Sequence, residues 1–153
     1  MNHLKEKTEQ SATEALLSEL YKNIKMGSDS ITNLMSKVSG RELRAEMTAE
    51  LNRYEEFASE IAKELYETGE TPREDGFLTK LGAKMGMAMN TMMDDSDSHI
   101  AQMMIEGATM GITENTKLIR AYENKSCSER SLALARKTVR FMEDSIERMK
   151  RYL

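Results

Sequence analysis

The stretch TGETPREDGFLTKLGAKMGMAMNTMMDDSD, Thr68 to Asp97, decides the fold. It is the one long interruption between two pairs of helical segments, and it holds the only proline of the chain, Pro72. The joints inside each pair are a few residues long, which makes the members of a pair antiparallel neighbours. The middle stretch is long enough to travel the length of a bundle, so the third long helix is expected to start at the end where the second began. Leu78, Leu81, Met85, Met89 and Met92 are spaced for one face of a short Met-rich helix within it.

Working outward, Ser11 and Glu14 have the spacing of a capping box and predict a helix beginning near Ala12, behind a polar tail of residues 1–10. Leu17, Leu20, Ile24, Gly27, Ile31, Leu34 and Val38 then alternate three and four apart, which places them on one stripe. Ser39 and Glu42 repeat the capping box. The second helix carries Leu43, Met47, Leu51, Tyr54, Phe57, Ala58, Ile61 and Leu65 toward the core and ends at Thr68-Gly69, where glycine takes a left-handed conformation cheaply. Beyond the middle stretch, the Asp94–Ser98 run offers N-caps for a third helix with a seam of Ala101, Met104, Ala108, Gly111, Asn115, Leu118 and Tyr122. Ser126 and Glu129 form a last capping box. The fourth helix follows with Leu132, Ala135, Val139, Met142, Ile146, Met149 and Leu153 as its seam. The fold class is all-α, with residues 11–153 forming a single four-helix domain.

Composition excludes several functions. The 153 residues, 39% hydrophobic, suit one domain with its own core, and 31% charged with 5% aromatic residues suits helix surfaces. The first ten residues are too polar for a signal peptide, and nothing approaches the roughly 20 apolar residues of a membrane span, so a cytoplasmic protein without membrane contact is expected. Cys127 is the only cysteine, which rules out a disulfide or a thiolate cluster within the chain. A net charge of −4 argues against nucleic acid, although the chain from Lys125 onward is locally basic. Pairs such as Arg140 with Asp144 and Glu147 with Arg151 are expected to neutralise that helix internally. No P-loop, dinucleotide fingerprint, nucleophile elbow or H-E-x-x-H occurs.

Paired long helices, the long connection with its own small helix, and the chain length together resemble a small bacterial branch of the ferritin-like superfamily, one without an assigned function. The resemblance covers nearly the whole chain from Ser11 and rests on layout. It implies a ferritin-like four-helix bundle, two antiparallel hairpins joined by a crossover. Di-iron members of that superfamily place a glutamate on two helices and Glu-x-x-His on the other two. Here the corresponding mid-seam positions hold Gly27, Gly111, Asn115, Val139 and Met142, and Glu50 is followed three residues on by Arg53. A complete site of that type is excluded, and no cofactor is predicted. Glu50, within the apolar stripe, and Glu114 and Glu143 at stripe edges are the candidates for a residual carboxylate site for iron or another divalent metal. The other reading of Glu50 is a hydrogen bond to Tyr54 or Asn115, or a pairing with an arginine.

Fourteen methionines are many for this length. Thioethers bind Cu(I), but packing of irregular gaps is the preferred reading of Met85, Met89, Met92, Met93, Met103 and Met104. Cys127 is read as an inert or weakly reactive thiol and His99 as a helix-start side chain. Leu134 and Phe141 lie one heptad apart, away from the fourth seam, and suggest a second apolar face that is covered by a homodimer partner or by the Met-rich helix, or else simply exposed. The leading expectation is a non-catalytic protein acting through protein contacts, a homodimer or another partner. The alternatives are a metal-binding oxidoreductase or metal-storage protein with a reduced carboxylate site and, last, a DNA-associated relative.

Overall fold

A computed structural model describes residues 2–72 and 93–153. Among these residues the chain is all-helical: α1 (Asn2–Met35), α2 (Arg41–Thr68), α3 (Asp97–Tyr122) and α4 (Glu129–Met149), with a 3-10 turn over Lys150–Tyr152. The short Met-rich helix expected over Leu78–Met92 lies outside the described residues.

Two sets of contacts establish the direction of each helix. At one end, Gln10 Nε2 donates to the Thr68 carbonyl (2.6 Å), and the Ser128 amide donates to Thr13 Oγ1 (3.0 Å). At the other, Gly40 lies against the Asp97 carboxylate so closely that a Cβ there would overlap it. Thr68 and Asp97 therefore sit at opposite ends of the bundle. Consequently α2 and α3 run parallel, while α1 with α2 and α3 with α4 form antiparallel hairpins. Those two pairs pack most extensively, followed by α1 against α3.

The core is where the apolar stripes meet. Leu17, Leu20, Ile24, Leu43, Met47, Ile61 and Leu65 have no exposed surface, and burying each side chain of this size contributes about 1.5–3 kcal/mol before the entropic cost of ordering it. Gly69 closes α2 at φ 96°, and its amide reaches back to the last turn.

Three helix starts differ from the capping-box reading. α1 begins at Asn2, so Ser11 is helical rather than a cap; Asn2–Gln10 are exposed and project past the end of α2. Leu4, Lys5, Glu6, Lys7, Glu9 and Gln10 are adequate helix formers, and extending an existing helix has none of the cost of nucleation. α2 is capped by Gly40 without a side-chain bond, in place of Ser39. Gly40 sits against the Asp97 carboxylate, which would have to shift to admit a side chain there. α4 is capped by Ser128, whose hydroxyl accepts from the Ser131 amide, in place of Ser126. Ser96 caps α3 by accepting from His99.

The inward face of α4 is also broader than expected. Ser131, Thr138 and Ser145 are buried beside Leu132, Ala135, Met142 and Met149, whereas Val139 and Ile146 are only half-buried and Leu153 is 61% exposed. α4 faces α3 on one side and α2 on the other, so more than a single stripe is enclosed. The second apolar face assigned to Leu134 and Phe141 is accordingly corrected. Leu134 is buried, and Phe141 packs edge-to-face on Tyr54 and Phe57 of α2, with ring centroids 5.7 and 5.6 Å apart. α2 therefore covers one side of Phe141, which is half-buried.

Candidate functional site

The buried polar residues are organised by a heptad on α4. Ser131, Thr138 and Ser145 stand seven residues apart, and each hydroxyl meets a buried polar side chain from another helix. Ser131 Oγ lies 3.5 Å from Glu64 Oε2, Thr138 Oγ1 accepts from Asn115 Nδ2 (3.1 Å), and Ser145 Oγ donates to Glu50 Oε1 (2.6 Å). Spacing by seven keeps all three on one face over almost four turns. A group that is costly to bury unpaired thus acquires a partner at each level.

The middle level is a chain of hydrogen bonds through three helices. Asn23 Nδ2 donates to Asn115 Oδ1 (2.9 Å), Asn115 donates to Thr138, and Thr138 donates to the Ala135 carbonyl (2.7 Å). Asn115 and Thr138 have no exposed surface. Next to this level the two seam glycines are occupied by neighbours. A Cβ on Gly27 would lie 2.7 Å from Tyr54 Cε1, and one on Gly111 would lie 2.8 Å from Met142 Sδ.

Glu50 is the buried charge. It is 2% exposed; Arg148 Nη2 lies 3.5 Å from Oε1, the same oxygen that Ser145 uses, and Oε2 has no hydrogen-bond partner among the described residues. Loss of hydration raises its carboxyl above the usual range, opposed by Ser145 and Arg148. Arg148 also reaches Glu46 (3.4 Å) and lies over the Phe141 ring (5.1 Å), while Arg151 pairs with the same Glu46 oxygen. Of the partners expected for Glu50, an arginine is therefore the one present. Asn115 belongs to the middle level, and the Tyr54 hydroxyl is pushed above its normal range by burial and by the charge of Glu50.

Glu50, Tyr54 and Ser145 line a cavity of about 50 Å³ that is otherwise mainly apolar. Glu114 also lines it, but its carboxylate is half-exposed and pairs with Lys117 at 3.6 Å. Glu143 is exposed and is not among the lining residues. The structure thus brings Glu50 and Glu114 to one cavity and leaves Glu143 outside it, and no group of three His, Cys, Asp or Glu side chains suited to a metal occurs among the described residues.

At the opposite end, Glu64 pairs with Arg130 Nε at 3.1 Å, and burial raises its carboxyl. Cys127 is buried with its sulfur 3.7 Å from Thr13 Oγ1, and burial pushes the thiol up, which suits an inert thiol. The cations of α4 pair mainly across helices, Arg130 with Glu64, Arg136 with Glu123 and Arg148 with Glu46. Glu147 takes Lys150 rather than Arg151.

Sequence reasoning missed Ser145, Arg148, Asn23 and Thr138. The Ser131, Thr138, Ser145 heptad was visible, but hydroxyls score as surface residues in an apolar-stripe reading. No helix among the described residues is long and apolar enough to cross a membrane. Comparison with protein-family models, with curated proteins and with solved structures gives no match.

Proposed function

We propose that this chain is a cytoplasmic, non-catalytic bundle of ferritin-like connectivity that acts through contacts with other protein chains, a second copy of itself included. One observation carries the reading: the polar level at mid-bundle. Where a ferritin-like metal centre needs carboxylates and imidazoles facing each other, Asn23, Asn115 and Thr138 bond to one another and Gly27 and Gly111 are filled by Tyr54 and Met142. Amide and hydroxyl groups already engaged in this way are poor ligands for a hard divalent ion. The parallel course of α2 and α3 supports the connectivity.

The second reading is a metal-dependent oxidoreductase or a metal store, favoured by the approach of Glu50 and Glu114 to one cavity. Elemental analysis of protein purified without chelator separates the two. The proposal expects no stoichiometric iron, manganese or zinc, together with self-association or a defined partner complex in sedimentation. Stoichiometric divalent metal that disappears in Glu50→Ala would overturn it. Association with DNA is supported least, because Arg130, Arg136 and Arg148 of α4 pair with glutamates; salt-sensitive duplex binding would be its sign.

A further inference from the structure

The cavity beside Glu50 is unusual in its lining. Five methionines, Met26, Met103, Met104, Met110 and Met142, contribute to it, and Met104 and Met142 are themselves buried. The sulfur of Met142 lies close against the backbone of Gly111, another lining residue. Two ionisable groups are buried in the wall, Tyr54 and Glu50, and Glu50 has Oε1 shared by Ser145 and Arg148 and Oε2 without a hydrogen-bond partner among the described residues. We propose that this cavity binds a single soft monovalent cation of the Cu(I) class, held by thioether sulfurs, with Glu50 Oε2 supplying the balancing negative charge.

Size and ligand chemistry select that class. About 50 Å³ is a third of the roughly 150 Å³ that accommodates benzene in an engineered apolar cavity, which leaves room for an ion or a few small atoms and not for a substantial organic molecule. Hard cations such as Mg²⁺ or Ca²⁺ take six or more oxygens. Here the Ser145 hydroxyl donates to Glu50 and Glu114 pairs with Lys117, so the wall does not present six free oxygens. Zinc is served by imidazole, thiolate and carboxylate, and no group of three such residues occurs among the described ones. What the wall offers in number is thioether sulfur, the ligand that prefers Cu(I). Cys127, the one thiol, lies at the opposite end beside Thr13 and takes no part. The inference is independent of whether the bundle acts through protein contacts.

The test uses the full chain carrying Cys127→Ser, so that the thiol does not compete, with methyl-labelled methionine and Ag(I) as a redox-inert probe. Cu(I) under anaerobic reducing conditions against a competing chelator follows as the second measurement. One equivalent of Ag(I) is expected to shift the methyl resonances of Met104 and Met142 and to leave Met93, which is 99% exposed, unmoved. The double variant Met104→Leu/Met142→Leu, with its helical content checked, is expected to lose affinity by about tenfold or more, and Glu50→Gln by a smaller factor. Shifts first at Met93, no binding at one equivalent, an equal response to Mg²⁺, or unchanged affinity in either variant would overturn the proposal. Should a variant fail to fold, the resonance shifts of the methionine-intact protein decide by themselves.

Discussion

Glu50 carries a charge whose solvation has been replaced by one hydroxyl and one guanidinium on the same oxygen. Because its folded-state carboxyl is raised, the native state holds its proton more tightly than the unfolded chain does. Stability is therefore expected to fall as pH rises above the unfolded value near 4.5, until the folded group has itself ionised. Glu64 shifts in the same direction and adds to the slope. Glu50→Gln keeps an acceptor for Ser145 and removes the buried charge, so its melting temperature should vary less between about pH 5 and 8 than that of the parent. Parallel thermal melts across that range check this, and an unchanged slope would show that Glu50 does not titrate there. Gly27 is the other decisive single residue. Alanine there would drive a Cβ into the edge of Tyr54, a ring itself packed on Phe141, so Gly27→Ala should cost about 1–3 kcal/mol in chemical denaturation. Gly111→Ala meets only the flexible Met142 thioether and should cost less.

α4 shows how an element can be both apolar enough to pack and polar enough to select its neighbours. Its hydroxyl heptad meets Glu64, Asn115 and Glu50 in succession, and a register slip would break each of these contacts. Asn115→Ala leaves Asn23 and Thr138 without their middle partner and opens a small void, so a loss of about 1–3 kcal/mol in denaturant unfolding is expected. Replacing Asn115 and Thr138 together by apolar residues of similar shape should recover part of that loss. The broad inward arc of α4 also predicts unequal costs among apolar truncations. Leu17→Ala and Ile24→Ala, at positions without exposed surface, should each cost about 2–5 kcal/mol. Ile146→Ala should cost distinctly less, because Ile146 is only half-buried. Equal costs at all three positions would place Ile146 back in a central seam.

Across the whole molecule, α2 and α4 meet through large side chains rather than close backbones. Tyr54, Phe57 and Phe141 fill the space, with Arg53 over Phe57 at 4.0 Å and Arg148 over Phe141. Phe141→Glu would place a carboxylate among these rings, and the expected outcome is a marked loss of thermal stability with no change in sedimenting mass. A stable variant whose mass falls from dimer to monomer would restore Phe141 to an intermolecular contact. The two ends of the bundle are tied by Gln10 with Thr68, Thr13 with Ser128 and Gly40 beside Asp97, contacts that connect residues far apart in the chain. By itself the sequence determined the helical class, the four long helices, the end of α2 at Gly69 and most of the core, because apolar periodicity and glycine geometry are local properties. Only the tertiary structure decided that Asn2–Gln10 continue α1, that Gly40 rather than Ser39 caps α2, that Phe141 faces α2, and that Ser145 and Arg148 share one oxygen of Glu50. Each of these depends on which neighbour stands opposite a residue, and a helical repeat defines a face without naming what that face will meet.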